Sequence, residues 1–136
     1  MQLHVTTPKG YLVQAEVDEV AAPGALGEFD ILPGHIPFMS VLKPGVLLYV
    51  TKDGRKHMAV GDGILQISRG TEGDKVLVLV DRGEHGRDID KDAAQKELAA
   101  LDAELAKAKP ETAAEMKVLD NRRAFAAAKL DAATRA

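Results

Sequence analysis

The chain contains no cysteine and no tryptophan, and it has few aromatic residues of any kind. Without cysteine it can form no disulfide, no zinc-thiolate site and no thiol nucleophile. The formal net charge of -3 at pH 7 and the aromatic content of 4% also argue against a basic, stacking surface of the kind that binds nucleic acid. We therefore expect neither a thiol enzyme nor a nucleic-acid-binding protein.

Long apolar runs are absent as well. None of the apolar segments reaches the length that crosses a bilayer, and the first ten residues, MQLHVTTPKG, lack the basic region, apolar stretch and cleavage site of a signal peptide. We expect a soluble chain without direct membrane insertion, which meets a membrane only through a partner.

Glycine is missing from the last fifty residues. All twelve glycines lie at or before Gly86, and the rest of the chain is rich in Ala, Lys, Glu, Leu and Asp. This change of composition indicates two structural regions, because glycine favours turns whereas the later residues favour helices. We place the first domain at residues 1–86 and the second at residues 87–136.

The first region has the pattern of short strands separated by turns. LHV and GILQIS alternate in polarity, whereas VLLYV and VLVLV are continuous apolar runs bounded by turn residues. Asp53-Gly54 lies between two such segments and predicts a hairpin with a type I′ turn, which needs positive φ at both central residues. We predict an all-β sandwich.

The second region predicts a hairpin of two helices. Asp88 or Asp90 is a suitable N-cap, and Pro110 is expected to end the first helix and to open the second, with Glu111 beside it. The first helix carries one apolar stripe, formed by Ala94, Leu98, Leu101, Leu105 and Ala108. The second has two apolar faces, one with Ala114, Val118, Phe125, Ala128 and Ala132, the other with Met116, Leu119, Ala126, Leu130 and Ala133. Since alanine buries little area, we expect weak docking onto the sandwich.

The two helices differ in charge. Six acids lie between Asp88 and Glu104, whereas bases predominate from Lys117 onward, with Arg122, Arg123, Lys129 and Arg135 among them. One interpretation is an ordinary solvated face without a partner. The other is a basic arm that binds an acidic surface and weakens with salt.

A search for catalytic groups finds no self-sufficient site. The four histidines have no metal-ligand spacing, neither serine lies in a GxSxG turn, and the glycine-containing stretches match no phosphate-binding loop. Glu28, His35 and His57 could together bind a divalent metal in a metal-dependent β-barrel enzyme. The alternative is that these residues are surface or hydrogen-bonded groups, with neither metal nor catalysis.

A series of segments resembles one family. APGALGEFDILPGHIPF, LKPGVL, VGDGILQI and VLVLVD occur in this order, followed by IDKDAAQKEL and an alanine-rich second helix. The ordered series, which covers almost the whole chain, is similar to the epsilon subunit of F-type rotary ATP synthase.

The resemblance implies a non-catalytic subunit of the central stalk. It implies that the β-sandwich binds the gamma subunit and rests on the membrane ring of c subunits, coupling proton flow to rotation. The mobile hairpin would restrain ATP hydrolysis by reaching the catalytic beta and alpha subunits. The location would be the cytoplasmic face of a bacterial inner membrane, as a peripheral protein. A stand-alone adaptor with the same two parts remains the other alternative.

The resemblance also assigns residues to these contacts. The loop for the c ring and gamma would comprise Glu28, Phe29, Asp30, Pro33, Gly34, His35 and Pro37. The inhibitory contacts of the last helix would be Arg122, Arg123, Lys129 and Arg135.

Two departures from the family pattern concern ATP and the contact loop. Ile89, Asp90 and Ala94 match a motif that binds ATP in some members, but Ala93 replaces its arginine, so we expect no cofactor and little ATP binding. Asp30 stands where the family usually has glycine, and we expect it to adopt left-handed backbone angles at some cost.

Overall fold

The computed structural model describes residues 1–107 and 112–135. These residues form ten strands, one short 3₁₀-helix and two α-helices. The strands are β1 (Gln2–Thr7), β2 (Gly10–Glu16), β3 (Glu19–Gly24), β4 (Gly27–Ile31), β5 (Phe38–Leu42), β6 (Gly45–Thr51), β7 (Gly54–Val60), β8 (Gly63–Gly70), β9 (Gly73–Val80) and β10 (Gly83–His85). The 3₁₀-helix (Gly86–Asp88) leads to α1 (Lys91–Lys107) and α2 (Ala113–Arg135).

The strands make one continuous path that closes on itself. Their order is β10-β7-β6-β3-β5-β8-β9-β1-β2, with β4 beside β3, and every described pairing is antiparallel except that of β1 with β9. The two ends of the path meet where His85 Nε2 donates a hydrogen bond of 3.0 Å to the Leu12 carbonyl oxygen. The prediction of an all-β sandwich followed by a helical hairpin is confirmed.

The core of the sandwich is made of alternating residues from both layers. In β9, Val76, Val78 and Val80 are buried, whereas Leu77 is half-buried and Leu79 is exposed. Alternation is the rule for a strand with one face on the core, because successive side chains point to opposite faces. The apolar run VLVLV therefore supplies both the core and part of the outer face.

The predicted hairpin at Asp53-Gly54 forms, but its turn is of another kind. Thr51 pairs with Gly54, so the two turn residues are Lys52 and Asp53. Gly54 has φ +115, and no non-glycine residue of the described chain has positive φ. The type I′ prediction is wrong, because the single left-handed position falls on the glycine that closes the turn and Asp53 keeps a negative φ.

The helices begin at side-chain caps. Asp90 Oδ1 accepts hydrogen bonds from the amides of Asp92 (3.0 Å) and Ala93 (3.2 Å), which identifies Asp90 as the cap of α1. The Thr112 hydroxyl accepts a hydrogen bond of 3.1 Å from the Glu115 amide at the start of α2. The predictions for Ala108, Pro110 and Glu111 lie outside the described residues.

Helix α2 lies between α1 and the sandwich. One face, with Phe125, Ala128 and Ala132, packs on Ala59 of β7 and against Val46. Ala126, on another face of α2, is also buried, and so are Ala94 and Leu101 of α1, which packs against α2. The predicted faces of α2 are therefore buried only in its second half, because Ala114, Met116 and Val118 in the first half are exposed.

Two polar contacts add to this docking. The Arg82 guanidinium lies over the Phe125 ring at 4.1 Å from its centroid, and Asn121 Nδ2 donates a hydrogen bond of 2.8 Å to Asp62 Oδ2. Phe125 is the largest apolar side chain that α2 contributes to the cluster, and burying it contributes about 1.5–3 kcal/mol. The other α2 residues of the cluster are alanines, which add little area each, so docking of the hairpin amounts to a few kcal/mol.

The closest approach of helix and sandwich is at Gly86, which is buried. A Cβ atom there would lie 2.5 Å from the Ala132 carbonyl oxygen and 3.0 Å from the His57 carbonyl oxygen. Both contacts involve backbone atoms, which cannot rotate away as a side chain would. Only glycine at this position allows α2 to lie against the sheet.

Gly86→Ala is therefore expected to separate α2 from the sandwich while the sandwich stays folded. Overpacking of this kind costs about 1–3 kcal/mol, comparable to the docking energy. Amide hydrogen exchange should show lost protection along α2 with unchanged protection in β8 and β9. Gly70→Ala is the matched control, because its added Cβ meets nothing closer than 3.5 Å. Equal protection of α2 in both variants would contradict the account.

Candidate functional site

The predicted contact loop forms one end of the sandwich. Glu28, Phe29 and Asp30 lie on β4, and the chain then turns through Pro33 and Gly34 before Pro37 leads into β5. Gly34 has φ +87, a left-handed angle that glycine adopts at little cost. Gly34 therefore allows the chain to turn between β4 and β5.

This loop is fixed by two residues at the hairpin that joins β8 to β9. The Gly34 amide donates a hydrogen bond of 2.8 Å to Asp74 Oδ2, and Arg69 Nη2 donates one of 2.9 Å to the Gly34 carbonyl oxygen. Arg69 and Asp74 also approach each other, with Nε and Oδ1 3.9 Å apart. Nothing in the sequence foretold this clamp, because its members are 35 and 40 residues from Gly34.

Aromatic packing holds His35 in place within the loop. The rings of Phe29 and Phe38 meet edge to face at 5.6 Å, and the His35 ring lies 5.1 Å from that of Phe38. His35 Nδ1 donates a hydrogen bond of 2.8 Å to the Ile36 carbonyl oxygen. Both phenylalanines pack against the core, so His35 occupies a position set by the sandwich itself.

Exposed apolar side chains surround this loop. We call them the apolar surface, and they are Leu26, Leu32, Ile36, Met39 and Val41. Ile36 is 69% exposed, and both Met39 and Val41 are 61% exposed. All of them except Leu32 line an open groove that also contains the exposed acids Glu28 and Asp30. A contiguous apolar area with a polar rim is typical of a protein-protein contact.

Asp30 does not have the conformation predicted for it. It lies within β4 opposite Ala21, and no non-glycine residue among those described has positive φ. The expectation of left-handed angles is wrong, because the strand ladder holds Asp30 extended. Its exposed carboxylate instead adds negative charge beside the apolar surface.

The hypothetical metal site of Glu28, His35 and His57 does not assemble. Glu28 and His35 border the groove of the apolar surface, whereas His57 lies on β7 in another pocket. Within residues 1–107 and 112–135, no group of three potential metal-binding side chains comes together. The three residues were related by chemistry alone, and the topology separates them.

The four predicted contacts of the last helix are all ion-paired within the hairpin. Arg123 Nε lies 2.5 Å from Asp102, Lys129 Nζ 2.6 Å from Glu97, and Arg122 Nη1 3.7 Å from Glu104. These three acids belong to α1. The fourth base, Arg135, pairs with Asp131 of α2 at 2.8 Å. The acidic first helix therefore neutralises most of the basic second one.

The residues of the ATP-type motif contribute to the structure of the hairpin. Asp90 caps α1, as described above, and Ile89 packs beside the cluster that docks α2. Ala94 is buried. The Asp90 carboxylate is therefore already engaged by two amides of its own helix.

The residues that the structure describes include no helix with enough length and apolar character to span a bilayer.

The family model and the relatives found by sequence comparison point to the same family. Residues 1–86 match the family described as "ATP synthase, Delta/Epsilon chain, beta-sandwich domain". An ATP synthase epsilon chain of Geotalea uraniireducens is 43% identical over 112 residues, which cover 82% of this chain and 78% of the relative. The epsilon chain of Geobacter sulfurreducens is 40% identical over 111 residues, with the same shares covered.

Comparison by structure supports the fold. A chain of the Euglena gracilis mitochondrial ATP synthase, solved by cryo-EM as OSCP/F1/c-ring in rotational state 1, matches with a TM-score of 0.74 at 21% identity, covering 97% of this chain and 79% of that one. A chain of the Tetrahymena thermophila mitochondrial ATP synthase central stalk and c ring matches with a TM-score of 0.66 at 14% identity, covering 97% of this chain and 95% of that one. At these identities the likeness concerns the fold alone.

Proposed function

The chain belongs to the ATP synthase epsilon-chain family, and from this premise we propose that it couples rotor rotation to ATP synthesis and restrains ATP hydrolysis through its hairpin. The relatives carry the name of an epsilon chain, so the chain is an accessory subunit of the complex and not an enzyme. Its partners in this proposal are the gamma subunit, the c-subunit ring and the catalytic alpha and beta subunits.

The apolar surface supports the coupling role. Coupling requires a contact that transmits torque, and such a contact needs a firm support. The loop around Gly34 is fixed by Arg69 and Asp74, and Ile36 and Met39 are presented on it to solvent. We propose that gamma and the c ring cover this surface, with Glu28 and Asp30 at its rim.

The observation that carries the regulatory proposal is the pairing of every predicted inhibitory base with a carboxylate of the hairpin. Arg122, Arg123 and Arg135 and their partners are about half exposed. Exposed pairs of this kind contribute about 0–1 kcal/mol each. Acidic segments of the catalytic subunits can therefore replace the acids of α1 at little energetic cost. In this scheme α1 keeps three of the four bases occupied until the hairpin opens.

Weak docking supports a mobile hairpin. An energy gap of a few kcal/mol leaves an undocked state with a population of roughly 0.1–10%. Such a population is accessible to a partner that binds the undocked form, and the partner then shifts the equilibrium. We propose that an extended hairpin is the inhibitory form.

ATP is not expected to control this equilibrium strongly. Ala93 lacks the guanidinium of the motif, Asp92 adds negative charge beside it, and Asp90 serves as a helix cap. We propose weak or absent ATP binding by the motif residues, and tight binding in a calorimetric titration of the full chain would contradict this.

The location follows from the partners. We propose that the chain is held at the cytoplasmic face of a bacterial inner membrane through its contact with the c ring. No part of the proposal requires the chain itself to enter the bilayer.

Ile36→Asp is expected to weaken binding to a purified complex of gamma and the c ring by roughly tenfold or more. The substitution removes exposed apolar area and places a charge where an interface would exclude water. Binding is measured directly with the immobilised rotor complex, and unchanged melting of the free chain shows that folding is intact. Gln14→Asp, on an exposed position of β2, is the control and should bind normally. Equal loss in both variants would count against the apolar surface.

Removal of the hairpin should raise ATP hydrolysis by the assembled motor severalfold. The comparison uses the intact chain and a truncation after Arg87, with ATP synthesis measured in parallel to report coupling. Coupling should persist, since the apolar surface lies entirely in the sandwich. An unchanged hydrolysis rate would refute the brake and leave the coupling role standing.

A full-length variant tests the role of the α1 acids in the same assay. Glu97→Gln, Asp102→Asn and Glu104→Gln together free three bases of α2, and stronger restraint of hydrolysis is expected. The matched control removes three exposed acids of the sandwich, with Asp18→Asn, Glu72→Gln and Glu84→Gln. A hydrolysis rate unaffected by the first set would show that α1 does not hold the bases in reserve.

A further inference from the structure

A small pocket lies at the edge of β7, away from the apolar surface. Strand β10 pairs only with Met58, Ala59 and Val60, so the rest of this edge of β7 has no partner strand among the described residues. At that point the side chains of β6 and β7 meet the segment that follows β10. The pocket has a volume of about 160 Å³ and is lined by Tyr49, Arg55, Lys56, His57, His85 and Arg87.

Its lining is cationic and largely uncompensated. Of the six lining side chains, five can carry a positive charge and none is acidic. Arg55 and Lys56 form no ion pair with any residue in the described part of the chain, and Arg87 approaches Asp88 only to 3.9 Å, with both side chains 67% exposed. Like charges gathered in this way repel one another unless an anion joins them.

Tyr49 provides a second, independent observation. The residue is 6% exposed and its ring belongs to the core of the sandwich, yet its hydroxyl makes no hydrogen bond to another described group. Burial raises the pKa of Tyr49, while the nearby positive charge of Arg87 lowers it. Because Tyr49 lines the pocket, its hydroxyl is a neutral donor that a ligand in the pocket can reach.

The two histidines complete the lining of the pocket. His85 is held there by the hydrogen bond that its Nε2 donates to the Leu12 carbonyl oxygen. Burial lowers the pKa of His57, and the charges of Arg135 and Arg55 lower it further, while Asp131 opposes them. His57 thus experiences a local excess of positive charge from both β7 and α2.

We propose that this pocket binds one oxyanion of the phosphate class, either free inorganic phosphate or a single phosphate group of a larger solute. The volume accommodates about five water-sized groups, since water occupies about 30 Å³ in the liquid, and phosphate has five heavy atoms. Guanidinium groups match the geometry of phosphate oxygens. Ile89, Asp90 and Ala94 do not line the pocket, so this site is separate from the ATP-type motif.

Titration of the full-length chain with sodium phosphate, followed by NMR, tests the site. Sodium chloride at the same ionic strength controls for screening. Phosphate should give saturable chemical-shift changes confined to Tyr49, His57, His85 and their neighbours. It should also raise the pKa of His57, which we expect below 6.5 in chloride alone. Shifts that chloride reproduces would overturn the proposal.

Matched variants identify the binding groups. Tyr49→Phe removes only the hydroxyl, whereas Arg87→Gln removes the positive charge together with the guanidinium donors, and each should weaken phosphate binding roughly tenfold. Lys43→Gln, an exposed cation outside the pocket, should bind as the parent does. Unchanged affinity in the Tyr49 and Arg87 variants, or an equal loss in the Lys43 variant, would overturn the site.

A parallel titration with ATP distinguishes the two sources of the phosphate group. Shifts at the same residues with comparable or higher affinity would identify the phosphate group of a larger solute. Shifts produced by inorganic phosphate alone would identify the free anion, and either result supports the pocket. If neither ligand shifts Tyr49 or His57, the proposal fails.

Discussion

The packing of α2 against the sandwich is the contact on which the rest of the account depends. Phe125 is the largest α2 side chain in it, the alanines around Phe125 allow close approach, and Gly86 leaves room for the helix backbone. In the proposed brake this contact is exchanged for another. A larger apolar face on α2 would favour a permanently docked hairpin, which could not serve as a brake.

The charged side chains of α2 interact with both α1 and the sandwich. With α2 docked, α1 lies on its outer side and places Glu97, Asp102 and Glu104 against the bases of α2. The same arrangement brings the end of α2, with Asp131 and Arg135, close enough to His57 to affect its pKa. Opening the hairpin would therefore expose a basic helix and also change the charge around the proposed anion pocket.

The apolar surface is built on a different principle. It lies at the end of the sandwich, where strand ladders and the Arg69–Asp74 clamp fix the loop, and it does not involve the helices. A rigid contact surface and a weakly held hairpin suit two separate tasks, because torque needs firm attachment whereas regulation needs an accessible second state. The chain divides these properties between its two domains.

Patterns that are local in sequence predicted the architecture well. The alternation of the strands, the stripe of α1 and the composition change after Gly86 each depend on near neighbours, and each corresponds to an element of the structure. Features made by distant residues were not predicted, including the clamp at Gly34 and the hydroxyl of Tyr49 in a cationic pocket. The errors at Asp30 and Asp53 have one cause. Both predictions relied on residue preference alone. The strand ladder fixes the backbone angles of Asp30, and Gly54 adopts the positive φ in place of Asp53.

A reversible cross-link between the hairpin and the sandwich tests the central claim most directly. Asn121 and Asp62 are hydrogen-bonded in the docked state, and the chain has no cysteine of its own, so cysteines introduced at both positions can be joined in the assembled motor by a thiol-reactive cross-linker with a reducible spacer. With the link formed, ATP hydrolysis should rise to the rate of a motor without the brake, and reduction of the link should restore the restraint. Equal restraint before and after reduction would contradict a brake that works by undocking of α2.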